Sequence, residues 1–124
     1  MIKEDYVSFE TSKLLKEKWF DQNCATYYLD GQVWRHYHGE VIPKDKQIYA
    51  APTQAMVMKW LREVHNIHIV IHPYTDIEGH NWSFILDKFA YDCWQELGIY
   101  ITDSWNTYEE TCEAAIKYTL ENLI

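Results

Sequence analysis

The sequence predicts an α+β fold, a mostly antiparallel sheet of about five strands with three helices packed on one face. Three observations carry that expectation. Residues Thr107–Leu123 combine a helix cap with an apolar stripe. An Asp30-Gly31 pair stands between two aromatic-rich runs and marks a hairpin. Helical and strand periodicities then interleave in the order α, β, β, α, β, β, β, α, and short links join the strands. At 124 residues the chain is read as one domain, residues 1–124.

Ser8 opens the first helix as its cap, and Glu10 lies where the helix dipole favours an anion. The helix is expected from Phe9 to Phe20, with Thr11, Leu14, Leu15, Lys18 and Trp19 on one face. Lys18 would lay its methylenes along that face. Lys13 and Glu17 are spaced to pair on the wet side.

The hairpin follows, with strands over Cys24–Leu29 and Gln32–His38. A two-residue Asp-Gly loop of type I′ sets Leu29 opposite Gln32, Tyr28 opposite Val33 and Tyr27 opposite Trp34. Gly39–Ala51 is a long connection containing Pro43, with room for a short strand at Gln47–Ala50. Connections of that length are uncommon unless they pack or serve a function.

Pro52-Thr53 opens a second helix reaching about His65. Its stripe is Val57, Trp60, Leu61 and Val64, while Lys59 pairs with Glu63 and Gln54 looks outward. Ile67–His72 alternates as a strand does, and Pro73 limits its pairing. Tyr74–His80 reads as a turn, and Asn81–Lys88 as the partner strand, with Phe89–Trp94 extending it. Gly98–Thr102 reads as a last strand. In the final helix Thr107 caps and Glu110 completes a capping box. Tyr108, Cys112, Ala115, Ile116, Thr119, Leu120 and Leu123 form its stripe.

Composition excludes several function classes. A net charge of −8 gives no counterion-release drive toward a phosphate backbone, so direct nucleic-acid binding is not expected. No apolar run approaches the ~18 residues of a membrane span, and no secretory signal opens the chain, so no membrane partner is expected. Cys24, Cys93 and Cys112 are odd in number and unpaired in spacing. Free thiols of that kind suit a reducing cytoplasm, the expected location. Cys112 falls on the final helix stripe, and Cys93 reads as a buried small hydrophobe.

Catalytic and metal templates find little to match. Six histidines are present, with His36 and His38 two apart and His68 and His72 four apart, each pair on one strand face. His65 and His80 lie nearby. The tight pairings of zinc sites are absent, so no cofactor is expected; His68, His72 and His80 are the only metal candidates, and weak ones. Asp76, Glu78, Asp87 and Asp92 crowd the second hairpin but read as solubilising. Gly31, Gly39, Gly79 and Gly98 are too scattered to cradle a phosphate.

The aromatic excess points elsewhere. Six Trp and ten Tyr are present, and Tyr27, Tyr28, Trp34 and Tyr37 crowd the first hairpin, with Tyr49 after it. If helices cover one sheet face, some of these rings face outward, where Tyr and Trp favour interface centres. The expectation is a protein-interaction module without catalytic activity, binding a protein partner or itself as a homodimer. Two alternatives stay open: an acidic nucleic-acid mimic that inhibits a host or defence protein, and a small enzyme or ligand-binding domain using the sheet histidines.

The opening Glu-Asp-Tyr-Val-Ser-Phe-Glu-Thr-Ser-Lys-Leu-Leu-Lys-Glu-Lys, the block Pro52-Thr-Gln-Ala-Met-Val-Met-Lys-Trp-Leu-Arg-Glu-Val-His-Asn-Ile-His68 and the ending Tyr-Glu-Glu-Thr-Cys-Glu-Ala-Ala-Ile-Lys-Tyr-Thr-Leu-Glu-Asn-Leu resemble a set of small uncharacterised proteins of gut Bacteroidales and their phages. The resemblance covers both ends and the middle of the chain. It implies a cytoplasmic phage or mobile-element setting, and it assigns no activity and no site residues.

Overall fold

The computed structural model describes residues 2–22, 24–29, 31–35, 48–77, 79–97 and 103–124. Within them the fold is α+β, with three helices and two antiparallel sheets of three strands each. The elements are α1 (Phe9–Glu17), β1 (Thr26–Leu29), β2 (Gln32–Arg35), β3 (Ile48–Ala50), α2 (Gln54–Val64), β4 (Ile67–Asp76), β5 (Gly79–Ala90), β6 (Cys93–Glu96) and α3 (Tyr108–Asn122). The chain forms two compact units, Met1–Gln54 and Ala55–Ile124. The single sheet of about five strands is therefore corrected: the strands divide into the orders β2-β1-β3 and β4-β5-β6. Asp30, His36, Tyr37, His38, the connection from Gly39 to Gln47, Glu78 and the expected strand Gly98–Thr102 lie outside the described residues.

In the first unit Ser8 caps α1 as its sequence implies, its Oγ accepting from the Thr11 N–H at 3.2 Å. The helix stops three residues earlier than its pattern, because Trp19 takes a left-handed conformation with φ 63°. The Trp19 N–H donates to the Lys16 carbonyl (3.3 Å) and the Phe20 N–H to the Leu15 carbonyl (3.0 Å). That bond pair is the Schellman motif, which normally has glycine where Trp19 stands. Thr11 and Leu15 are buried as expected, while Trp19 is 87% exposed and leaves the predicted face.

The β1–β2 hairpin has the expected register, with Leu29 opposite Gln32, Tyr28 opposite Val33 and Tyr27 opposite Trp34. Gly31 has φ 81°, the value a two-residue loop of this hand requires. The short strand after the long connection forms at Ile48–Ala50 and pairs with the free edge of β1.

In α2, Val57, Trp60 and Leu61 are buried, whereas Val64, assigned to the same stripe, is exposed in the last turn. Lys59 and Glu63 do meet on the wet side, at 3.9 Å. Gln54 is buried rather than outward, and its backbone N–H donates to the Asp5 carbonyl at 2.9 Å. Asn66, with φ 58°, turns the chain from α2 into β4, a role asparagine tolerates better than most residues.

The β4–β5 hairpin runs without a bulge from the pair Ile67/Lys88 to the pair Asp76/Gly79. Pro73 does not shorten β4. It faces Trp82, whose N–H and carbonyl both bond Trp105 instead, at 2.8 and 2.9 Å. Pro73 thus occupies a non-hydrogen-bonded pair on an edge strand, where a missing N–H removes nothing from the ladder. Phe89–Trp94 is not one extended strand. Tyr91 and Asp92, with φ 53° and 63°, make a two-residue turn between the pair Ala90/Cys93 and start β6.

Strand alternation sorts this sheet into two faces. Ile67, Ile69, Phe84 and Leu86 share one face and are buried. Helix α3 contacts β4 and β5, and it buries Cys112, Ala115, Ile116, Thr119 and Leu120 of the expected stripe. Phe84 stacks on Trp105 at 5.5 Å and lies 6.3 Å from the Tyr118 ring. Thr107 caps α3, its Oγ1 accepting from the Glu110 N–H at 3.0 Å.

Candidate functional site

Tyr27 and Tyr28 of the first hairpin are core rather than surface. Tyr27 and Tyr28 are adjacent in β1 and so project to opposite faces, yet their exposures are only 7% and 8%. Both faces of the central strand are covered, which corrects the expected open side around this hairpin. The Tyr28 hydroxyl donates to the Val7 carbonyl at 2.7 Å, and its ring meets Phe9 edge-on at 5.5 Å. A buried hydroxyl needs such an acceptor, so Tyr28 is a satisfied core residue.

Trp34 pairs with Tyr27 in the ladder, and Tyr37 lies outside the described residues. Tyr49 is half-buried, with its ring 5.6 Å from Phe9. The Lys16 ammonium sits 4.9 Å over the Tyr49 ring and donates to the Ile48 carbonyl at 3.3 Å. Lys13 lies 4.5 Å over the Phe9 ring. Lys13, Lys16, Glu17 and Tyr49 line an open pocket of about 370 Å³. Both ammonium groups there are already engaged by aromatic faces.

The histidine candidates do not converge. His68 and His72 share one face of β4, four residues and so roughly 13 Å apart along the strand. His80 pairs with Thr75 and projects to the other face, its Nδ1 3.4 Å from the Thr75 hydroxyl. Among the described residues no cluster of three or more His, Cys, Asp or Glu side chains is close enough to hold a metal ion. Cys93 is exposed at the start of β6 rather than buried, because the Tyr91-Asp92 turn carries it onto the sheet edge.

The open surface that the sequence placed on the first hairpin occurs on the second sheet. The face of β4–β6 opposite α3 carries His68, Val70, His72 and Tyr74 from β4, Ile85, Asp87 and Phe89 from β5, and Trp94 and Glu96 from β6. Phe89 is 39% and Trp94 50% exposed, and Ile85 and Tyr74 are exposed further along the same face. These rings are organised, not loose. Phe89 lies 5.4 Å from Trp94, and His68 meets Trp94 edge-on at 5.8 Å. The His68 Nδ1 is buried without a hydrogen-bond partner among the described residues.

Only Ser83 on this face is deeply buried, its Oγ donating to the Asp103 carbonyl at 3.2 Å. The alternation of Val70, Ile85, Phe89 and Trp94 was the signal for this face. It was obscured by the buried neighbours Ile69, Phe84 and Leu86, which make the strands look continuously apolar.

None of the described helices is long and apolar enough to cross a membrane. No protein-family model, no curated protein and no solved structure matches the chain.

Proposed function

We propose that this chain is a non-enzymatic protein-interaction module acting through the uncovered face of β4–β6. The observation that carries the reading is the exposed Phe89–Trp94 pair, with Ile85 exposed further along β5, on the face opposite α3. Aromatic side chains there supply contact area at small entropic cost, and their mutual packing pre-organises them. The polar members, His68, Asp87 and Glu96, provide direction without forming a reaction centre. The resemblance to small proteins of gut Bacteroidales and phages supports a cytoplasmic setting in which such a module acts on another protein.

Affinity capture with the wild-type chain and with the Ile85→Lys and Trp94→Ala variants tests the reading. Capture of the same proteins by all three would refute it. Loss in both variants, with unchanged far-ultraviolet circular dichroism, is the expected result.

A further inference from the structure

The hydrogen-bond parity of β4 leaves one of its edges open along most of its length. The Phe89 N–H donates to the Asn66 carbonyl at 2.8 Å, and their pair continues the β4–β5 register. Even-numbered residues of β4 therefore bond β5, and odd-numbered residues turn their N–H and C=O the other way. The far side of β5 agrees, since the Leu97 N–H donates to the Leu86 carbonyl at 2.9 Å, on the β6 side. Ile67, Ile69 and Ile71 thus each direct a donor and an acceptor away from β5, and Pro73 an acceptor. Among the described residues β4 pairs with β5 alone, and no other backbone hydrogen bond meets these four residues.

We infer that this edge takes up an extended segment of another protein as a fourth strand. The inference goes beyond the face described above, since it uses backbone groups of β4 rather than the Phe89–Trp94 pair. A row of alternating N–H and C=O groups is matched by another extended polypeptide, so the edge itself selects the chemistry of its occupant. Native sheets guard such edges with short strands, bulges or charges. At the opposite edge β6 is four residues long and ends on Glu96. By contrast β4 has ten residues, pairs without a bulge, and carries no Asp, Glu, Lys or Arg from Ile67 to Thr75. Its one guard is Pro73, which ends the donor row and leaves an opening from Ile67 to Pro73, roughly seven residues or about 23 Å.

Side chains and charge narrow the sequence of that segment. Ile67 and Ile69 are buried on the α3 side of the sheet, with Ile71 half-buried beside them, so an added strand finds apolar neighbours on that side. On the other side it lies beside His68, Val70 and His72, all half-buried. The chain carries −8, which repels a second copy and attracts a cationic partner. The occupant is therefore a strand apolar at alternate positions and basic between them.

A soluble peptide of that pattern, acetyl-Lys-Val-Lys-Val-Lys-Val-Lys-Val-Lys-amide, tests this by hydrogen exchange on the full chain. At about one millimolar peptide the Ile69 and Ile71 amides are expected to exchange about tenfold or more slowly, while those of Val70 and His72, already bonded to β5, stay as they were. Ile71→Pro removes one outward donor and no β4–β5 bond, and should weaken binding about fivefold or more, with circular dichroism checking the fold. The same peptide N-methylated at every residue keeps its side chains and loses its donors, so it should not bind the wild-type chain, whether or not Ile71→Pro folds. Exchange at Ile69 and Ile71 unchanged by the peptide overturns the inference, as does equal binding of the N-methylated peptide. Protection of these two amides that rises with protein concentration, without peptide, overturns the partner segment in favour of a second copy. Peptide binding lost in Ile85→Lys and kept in Ile71→Pro puts the peptide on the sheet face, which overturns the edge and leaves the interaction reading standing.

Discussion

Replacing Trp19 by glycine should stabilise the first unit, although it deletes the largest side chain type. Trp19 ends α1 in the left-handed region, φ 63°, at the position of the Schellman motif where glycine is usual. An L side chain pays roughly 1–2 kcal/mol for that conformation, from the clash between Cβ and the following carbonyl. Being 87% exposed, the indole contributes little burial to set against that cost. Glycine removes the clash but loosens the unfolded chain, which returns about 0.5–1 kcal/mol. Net stabilisation of about 0.5–1 kcal/mol is expected, a rise of about 4 °C in the melting midpoint of a unit this small. Trp19→Ala keeps the strain and loses the same indole, so it isolates the backbone term. Urea unfolding followed by circular dichroism should rank the glycine variant above the alanine variant. If alanine is as stable as glycine, the helix does not end in the left-handed conformation and the reasoning fails.

The turn from β5 to β6 invites the same test. Tyr91-Asp92→Asn-Gly places the preferred residues of a type I′ loop at φ 53° and 63°, and should add about 1 kcal/mol to the second unit by urea unfolding. Thr107→Ala removes the hydroxyl that accepts from the Glu110 N–H and should cost about 1 kcal/mol, seen as a lower urea midpoint. His65 ties stability to pH. Burial holds its pKa below the ordinary 6.5, and its ring packs edge-on against Trp60 at 4.6 Å. The fold favours the neutral ring, so its contribution is complete above pH 6.5 and is lost as pH falls through the lowered folded value. Urea midpoints measured from neutral to mildly acid pH should fall in that window for the wild type, and fall less for His65→Phe.

The helices were legible because caps and stripes are local. Ser8 and Thr107 cap where their neighbours imply, and the α3 stripe from Cys112 to Leu120 is buried in order. The first hairpin was legible for the same reason: Asp-Gly names its loop, and the loop fixes the register of four pairs. The second sheet was harder, since its controlling features are not written in residue preferences. Tyr91 carries no signal of a left-handed turn and Asp92 without a following glycine only a faint one, so β6 merged into β5. Pro73 looks like a strand stop until Trp82 is seen bonding Trp105, which removes the demand for the proline's missing donor. Dividing the strands between two sheets depends on β3 taking the free edge of β1, a contact across the long connection that no local pattern encodes.

The candidate site shows the same division at the level of single side chains. Sequence correctly signals that aromatic residues exceed what a small core needs, but it cannot say which face of which sheet receives them. In β1 both faces are covered, so alternation sends Tyr27 and Tyr28 alike into the interior. In β5, among the described residues, the face away from α3 is deeply buried only at Ser83, so the same alternation sends Phe84 and Leu86 inward and leaves Ile85 and Phe89 exposed. Coverage is decided by where α3 lands, and α3 lands on β4 and β5. In the second sheet an apolar residue thus becomes buried or exposed according to whether its face of the strand is the one α3 packs on. The first hairpin, richer in rings, is for that reason the poorer binding candidate, and the plainer second sheet presents the more exposed apolar face.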